Sequence, residues 1–168
     1  MSPDADGVIA RLGLEPLPGE GGWYRETYRA ETDGSQPGAR RHCTQIYFLL
    51  RPGETSAMHR VRSVEIFHHY MGDPVEQLQL GPDGQRERVV MGGDLAKGER
   101  PQVIVPPGWW QGARLAATND GFALMGCTVS PGFEWDDFEL ATPEQMRELQ
   151  SKYPDEAELI EAFAPAAS

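Results

Sequence analysis

The chain has 168 residues, with 26 acidic against 15 basic side chains and a formal net charge of −11. Phosphate backbones and anionic lipid surfaces are therefore poor partners, and neither nucleic-acid nor membrane binding is expected. That length sets a single domain, 1–168, able to bury a core without disulfides or a structural metal, and 19 Gly with 14 Pro exclude a helical bundle in favour of short strands joined by turns.

The opening MSPDADGVIARLG has neither a basic start nor a long apolar run, and no later stretch approaches the length of a membrane span. Cys43 and Cys127 lack CxxC spacing. The chain reads as cytoplasmic, with both thiols reduced. Residues 4–14 predict a short helix capped by Asp4, with Val8, Ile9 and Leu12 on one face. Leu17 to Gly22 is a Pro/Gly loop, and residues 23–29, WYRETYR, alternate aromatic or β-branched residues with charges as a strand does. Residues 32–41, TDGSQPGARR, form a polar surface loop that composition makes mobile.

CTQIYFLL at 43–50 predicts a strand buried on most of both faces. Further strands are expected at about 56–59, 64–71, 75–80, 86–91, 102–105, 112–117 and 121–130, with Pro82-Asp83-Gly84 as a hairpin turn. This spacing of short strands predicts a sandwich or barrel over about 20–140. Thr142-Pro143-Glu144-Gln145 is a capping box. Two helices follow over about 142–164, the second starting at Asp155, and both are expected to pack on the outside of the barrel.

The chemistry concentrates in two stretches, GETSAMHRVRSVEIFHHYMG (53–72) and PPGWWQ (106–111). Strand alternation puts His59 with Val61 on one face, and Glu65 with Phe67 and His69 on one face of the next strand. Imidazole and carboxylate suit Mn, Fe, Ni or Zn, while the Gln111 amide is a weaker ligand. A hydrogen-bonded structural His–Glu pair is the other reading. Trp109, Trp110, Tyr47, Phe48 and Phe67 could wall a sugar or planar ligand, or serve as core. Arg60, Arg62 and Arg114 could grip an anion or stand solvated. His68 faces away from His69 by parity. His42-Cys43 point opposite ways and make no catalytic pair, Cys127 reads as a core thiol, and Met91-Gly92-Gly93-Asp94 lacks the strand-to-helix setting of a nucleotide loop.

Gly53, His59, Val61, Glu65 and Gly72 fall in the register of G-x5-H-x-(ligand)-x3-E-x6-G, and Pro106, Gly108 and Gln111 in that of P-x-G-x-x-(ligand). These resemble the two motifs of the cupin superfamily. GGWYRETYR, IYFLL, HRVRSVEIFHHYMGDPVE, PQVIVPPGWWQGARL and GCTVSPGFEWDDFEL are similar to the small-cupin subfamily catalogued as DUF985 (cupin 5), over about residues 8–150. The resemblance implies a mainly β fold, a double-stranded β-helix or jelly roll of the RmlC-like type, with a short N-terminal helix, two C-terminal helices and a pocket at one barrel mouth. It also implies a homodimer.

The family's ligand positions map to His59, Glu65 and Gln111, with Val61 where a second histidine would stand. A divalent transition metal (Mn, Fe, Ni or Zn) could sit there, and no organic cofactor is expected. The expected activity is that of an isomerase, epimerase or lyase on a small carbohydrate-like or carbonyl metabolite. His59 and Glu65 are its catalytic candidates, as metal ligands or as an acid–base pair in which Glu65 or a tyrosine is the acid. Tyr47, Arg60, Phe67, His69, Trp110 and Gln111 are the substrate-binding candidates. A metabolite-binding or sensing cupin without turnover is the alternative.

Overall fold

The computed structural model describes residues 4–32 and 39–166. Helix α1 (Ala5–Leu12) begins where Asp4 accepts a hydrogen bond from the Gly7 amide at 2.8 Å, the cap its sequence predicts. The strands follow as β1 (Glu15–Pro16), β2 (Trp23–Arg29), β3 (Thr44–Leu50), β4 (Thr55–Val61), β5 (Val64–Gly72), β6 (Val75–Leu80), β7 (Arg86–Met91), β8 (Gln102–Val105), β9 (Trp110–Leu115), β10 (Ala123–Ser130) and β11 (Phe138–Leu140). Helices α2 (Pro143–Lys152) and α3 (Ala157–Ala162) close the chain.

The strands form two antiparallel sheets, of six in the order β1-β2-β3-β10-β5-β8 and of five in the order β11-β4-β9-β6-β7. This is the expected mainly β jelly roll with one N-terminal and two C-terminal helices. The differences lie at element ends. Strand β4 runs on to Val61, β9 starts at Trp110 rather than 112, and a 3₁₀ turn at Pro154–Glu156 precedes α3. Of the 32–41 loop, residues 33–38 lie outside the described residues. Among the described residues no helix is long and apolar enough to cross a membrane.

Alternation decides what each face does. On β3, Phe48 and Leu50 join the core between the sheets, while Leu49 and the half-buried Tyr47 pack outward with Val8 and Leu14 of the α1 region. On the five-stranded sheet the outward residues Met58, Leu78 and Leu80 meet Met146, Leu149, Leu159, Ile160 and Phe163, so both C-terminal helices cover the barrel's exterior. Glycine is required where they press closest, since a Cβ on Gly112 would lie 2.5 Å from the Phe163 ring. At one edge the sheets are joined by the Met91–Arg100 bridge. At another, the loop between β1 and β2 reaches β4, where the Ala57 amide donates to the Glu20 carbonyl at 2.8 Å.

Candidate active site

A cavity of about 260 Å³ opens inside the barrel between the two sheets. The sequence placed His59 and Val61 on one inward face and Glu65 and Phe67 on another, and all four line it. His59 is 2% exposed and Glu65 6%. The ring of His59 stacks on Phe138 at 5.3 Å between centroids, and its Nδ1 lies 2.7 Å from the Ala57 carbonyl oxygen. A carbonyl only accepts, so Nδ1 carries a proton, and Nε2 is the ring nitrogen left free of that bond. That Nε2 stands 3.9 Å from Glu20 Oε1, and the same carboxylate oxygen accepts from Ser56 Oγ at 2.6 Å.

Glu20 is the main residue that motif reasoning missed. Its loop comes this close because Gly21 has φ 95° and a Cβ there would lie 2.5 Å from the Thr55 carbonyl oxygen, a conformation and contact open to glycine.

Glu65 sits at the head of a buried polar string. Gln111 Nε2 donates to Glu65 Oε2, Gln77 Nε2 to Gln111 Oε1 at 3.1 Å, and Gln79 Nε2 to Gln77 Oε1 at 2.9 Å. Gln79 Nε2 also donates to the Ile104 carbonyl oxygen at 3.3 Å. That carbonyl cannot donate, so it fixes the direction of every amide up to Glu65. The Cys127 thiol donates to Glu65 Oε1 at 3.6 Å. Burial raises the Glu65 carboxyl above its ordinary value; His59 and the bonds from Gln111 and Cys127 oppose this, while Glu20 adds to it. Burial likewise holds the Cys127 thiol well above its usual range, and the Glu65 and Glu20 carboxyls push the same way. Cys127 is thus a poor thiolate source.

The expected ligand set of His59, Glu65 and Gln111 is brought to one place: His59 and Gln111 are register partners on β4 and β9, and Gln111 touches Glu65. Its geometry does not suit a metal centre. Gln111 turns its amide N–H to Glu65 and its oxygen to Gln77, so its amide is tied into the string rather than set in the cavity wall. Among the described residues no three His, Cys, Asp or Glu side chains group closely enough to hold an ion.

Of the substrate-binding candidates, Phe67 lines the cavity and the others stand apart from its wall. Tyr47 lies on the opposite face of β3, edge-on to Tyr70 at 6.2 Å. Arg60 pairs with Glu139 at 2.7 Å and lies 4.6 Å over the Trp110 ring, outside the barrel. His69 Nε2 is 3.0 Å from the Asp73 carbonyl oxygen. Trp110 packs against the helix-covered cluster, and Gln111 acts through Glu65. His68 sits between Thr128 Oγ1 and Gln102 Nε2, each at 3.3 Å.

Phe48 joins Phe67 on the wall as expected, and the other aromatic walls are Tyr24, Phe133, Trp135 and Phe138. The last three form a mutually edge-on cluster at 5.1–6.2 Å. The spacing of aromatics in GFEWDDFEL was the available signal. Arginines hold this segment in place: Arg29 donates to the Phe133 carbonyl at 3.0 Å and Arg40 to that of Gly132 at 3.0 Å, with Asp137 also paired to Arg40.

A jelly roll with a polar, aromatic-walled interior pocket defines the class as a small single-barrel cupin. The chain belongs to the family described as Cupin superfamily (DUF985), whose profile matches residues 6–141. Among solved structures it is similar to the protein SO0799 from Shewanella oneidensis, with 39% identity, TM-score 0.85 and coverage of 97% of this chain and 98% of that one. A hypothetical protein from Leishmania major is similar at 32% identity and TM-score 0.82, covering 96% and 99% of the two chains. The protein YML079W of Saccharomyces cerevisiae is 29% identical over an alignment of 133 residues that covers 70% of this chain and 66% of that protein.

Proposed function

We propose that the cavity is an acid–base site acting on a small carbohydrate-like or carbonyl metabolite, as an isomerase, epimerase or lyase. The observation that carries the reading is His59: its Nδ1–H is spent on the Ala57 carbonyl, so that in the neutral ring the lone pair falls on Nε2, in a cavity that Glu65 also lines. In this scheme Nε2 takes the proton from the carbon beside a carbonyl, and the Glu65 carboxyl, whose protonated form burial favours, gives its proton to the carbonyl oxygen. The product of that step is an enol. Return of a proton to the opposite face or to the neighbouring carbon gives the epimer or isomer, and departure of a β-substituent gives the lyase product. Glu20, 3.9 Å from Nε2, stabilises the imidazolium formed in between. Gln111, tied into the glutamine string, holds Glu65 in place and takes no part in the proton transfer.

A positioned acid or base of this kind contributes about 10²–10⁴-fold. The test is incorporation of solvent deuterium into a bound carbonyl compound, followed by NMR. The wild type incorporates it, and His59→Ala and Glu65→Gln lose at least about a hundredfold. Incorporation that survives both substitutions overturns the scheme.

The second reading is a cupin that binds or senses a metabolite without turnover. The tethering of Gln111 into the string favours it, since one family ligand position is then structural. It predicts binding without exchange. We also infer a second copy of the chain as partner, because Tyr70 and Ile104 are large side chains 46% and 56% exposed on the six-stranded sheet. Light scattering at two concentrations reads the mass.

A further inference from the structure

We propose that the cavity admits only ligands without negative charge, namely a neutral polyol or carbonyl compound or the corresponding amine, and rejects phosphorylated, carboxylated and nucleotide-linked forms. This inference rests on the reading of the cavity as a small-metabolite site and adds the charge class of the ligand.

Three carboxyl side chains and one guanidinium face the space. Glu20, Glu26 and Glu65 line it, and Arg29 is the one Lys or Arg side chain among the described residues that does. The Arg29 fork is already occupied. Its Nε and Nη2 donate to the two oxygens of Glu26 at 2.9 and 2.7 Å. Its Nη1 donates to the Phe133 carbonyl at 3.0 Å and to Glu134 Oε1 at 3.2 Å. A bidentate anion grip needs the same N–H groups, so an incoming phosphate would have to break these bonds. Two carboxylates, Glu26 and Glu134, would then be left without their cation.

Deeper in, Glu20 has no Lys or Arg partner among the described residues: its Oε1 accepts from the Ser56 hydroxyl and stands 3.9 Å from His59 Nε2. An anion seated near His59 would meet this carboxylate in a space largely screened from water, where like charges repel most strongly. Two arginines on neighbouring segments are paired elsewhere, Arg40 on Asp137 and Arg60 on Glu139.

The walls fit the same class. Tyr24, Phe133, Trp135 and Phe138 present ring faces and edges that suit the C–H face of a sugar or an ammonium group, and Trp135 remains 54% exposed. The volume of about 260 Å³ lies below the roughly 300–1,000 Å³ of pockets that enclose drug-sized molecules, which leaves little room for a nucleotide.

The experiment is ligand-observed NMR titration with matched triads: glucose, glucosamine and glucose 6-phosphate, then glyceraldehyde, 2-amino-1,3-propanediol and glyceraldehyde 3-phosphate, with UDP-glucose as the nucleotide probe. At least one neutral or amine member binds, and its phosphate binds at least about tenfold more weakly. In Glu20→Gln that gap narrows to about threefold or less. A phosphate or UDP-glucose that binds as tightly as its neutral parent overturns the proposal, as does the failure of every probe to bind. The wild-type comparison decides even if Glu20→Gln does not fold. A neutral member that binds without deuterium exchange removes the catalytic reading and leaves this one standing. An anionic member that both binds and exchanges does the reverse.

Discussion

The two faces of the five-stranded sheet use the same three strands in opposite ways. Outward, β4, β6 and β9 present Met58, Leu78, Leu80, Trp110 and Gly112 to the C-terminal helices, and the contact is filled until Phe163 and Ile160 are fully buried. Inward, the same strands present His59, Gln77, Gln79 and Gln111, four polar residues at 1–2% exposure. Gln79 and Gln111 pair across β6 and β9, and Gln111 and His59 across β9 and β4. The same strands also add Val61, Val75 and Ala113 to the apolar core between the sheets. The four polar residues form a patch inside that core, held there at the cost of desolvating them, and it is at this patch that we propose the function lies.

Substitutions on the two faces should separate stability from chemistry. The largest stability effect is expected outside: Phe163→Ala removes a fully buried ring and should cost about 3–5 kcal/mol in denaturant unfolding, with deuterium exchange per folded molecule unchanged. Next comes the string. Gln77→Leu strips the Gln111 oxygen and the Gln79 amide of a buried partner and should cost about 1–3 kcal/mol for each unsatisfied group. A cost near zero would mean that the inner polar face is not a connected unit.

Glu65→Gln should leave stability near neutral pH nearly unchanged or slightly higher, while activity falls at least about a hundredfold. Its pH dependence is the sharper reading. The folded carboxyl is raised, so between the unfolded value of about 4.3 and the folded one the native state binds more protons than the unfolded state. Stability from this group is therefore greatest below the unfolded value and is lost as pH climbs through the folded one. The difference in melting temperature between wild type and Glu65→Gln should shrink on acidification over that window. The smallest effect is Arg60→Ala, which removes an exposed ion pair and a cation–π contact over Trp110. It should cost at most about 1 kcal/mol and leave ligand binding intact.

Period and motif carried the inner face of β4 and β5: parity alone put His59, Val61, Glu65 and Phe67 where they line the cavity. Parity fails where the ladder slips. On β2 the register shifts between Glu26 and Tyr28, so Tyr24, Glu26 and Arg29 all line the cavity although Arg29 has the opposite parity. A similar slip opposite β10 leaves Tyr70 unpaired, and His69, in phase with Glu65, ends on the Asp73 carbonyl. Glu20 was illegible for another reason. Its place beside His59 depends on a long-range bond from Ala57 and on Gly21, and no local pattern encodes that contact. The direction of Gln111 was equally hidden, being set three amides away at the Ile104 carbonyl.

The account depends on the state of the His59 ring. Nitrogen-15 NMR of the imidazoles, with His59 assigned by its loss in His59→Gln, reads the tautomer directly. Near neutral pH the predicted result is a protonated Nδ1 and a bare Nε2, shifting when a neutral ligand fills the cavity. A protonated Nε2 with a bare Nδ1 would contradict it, because the ring would then have no base to offer to the cavity.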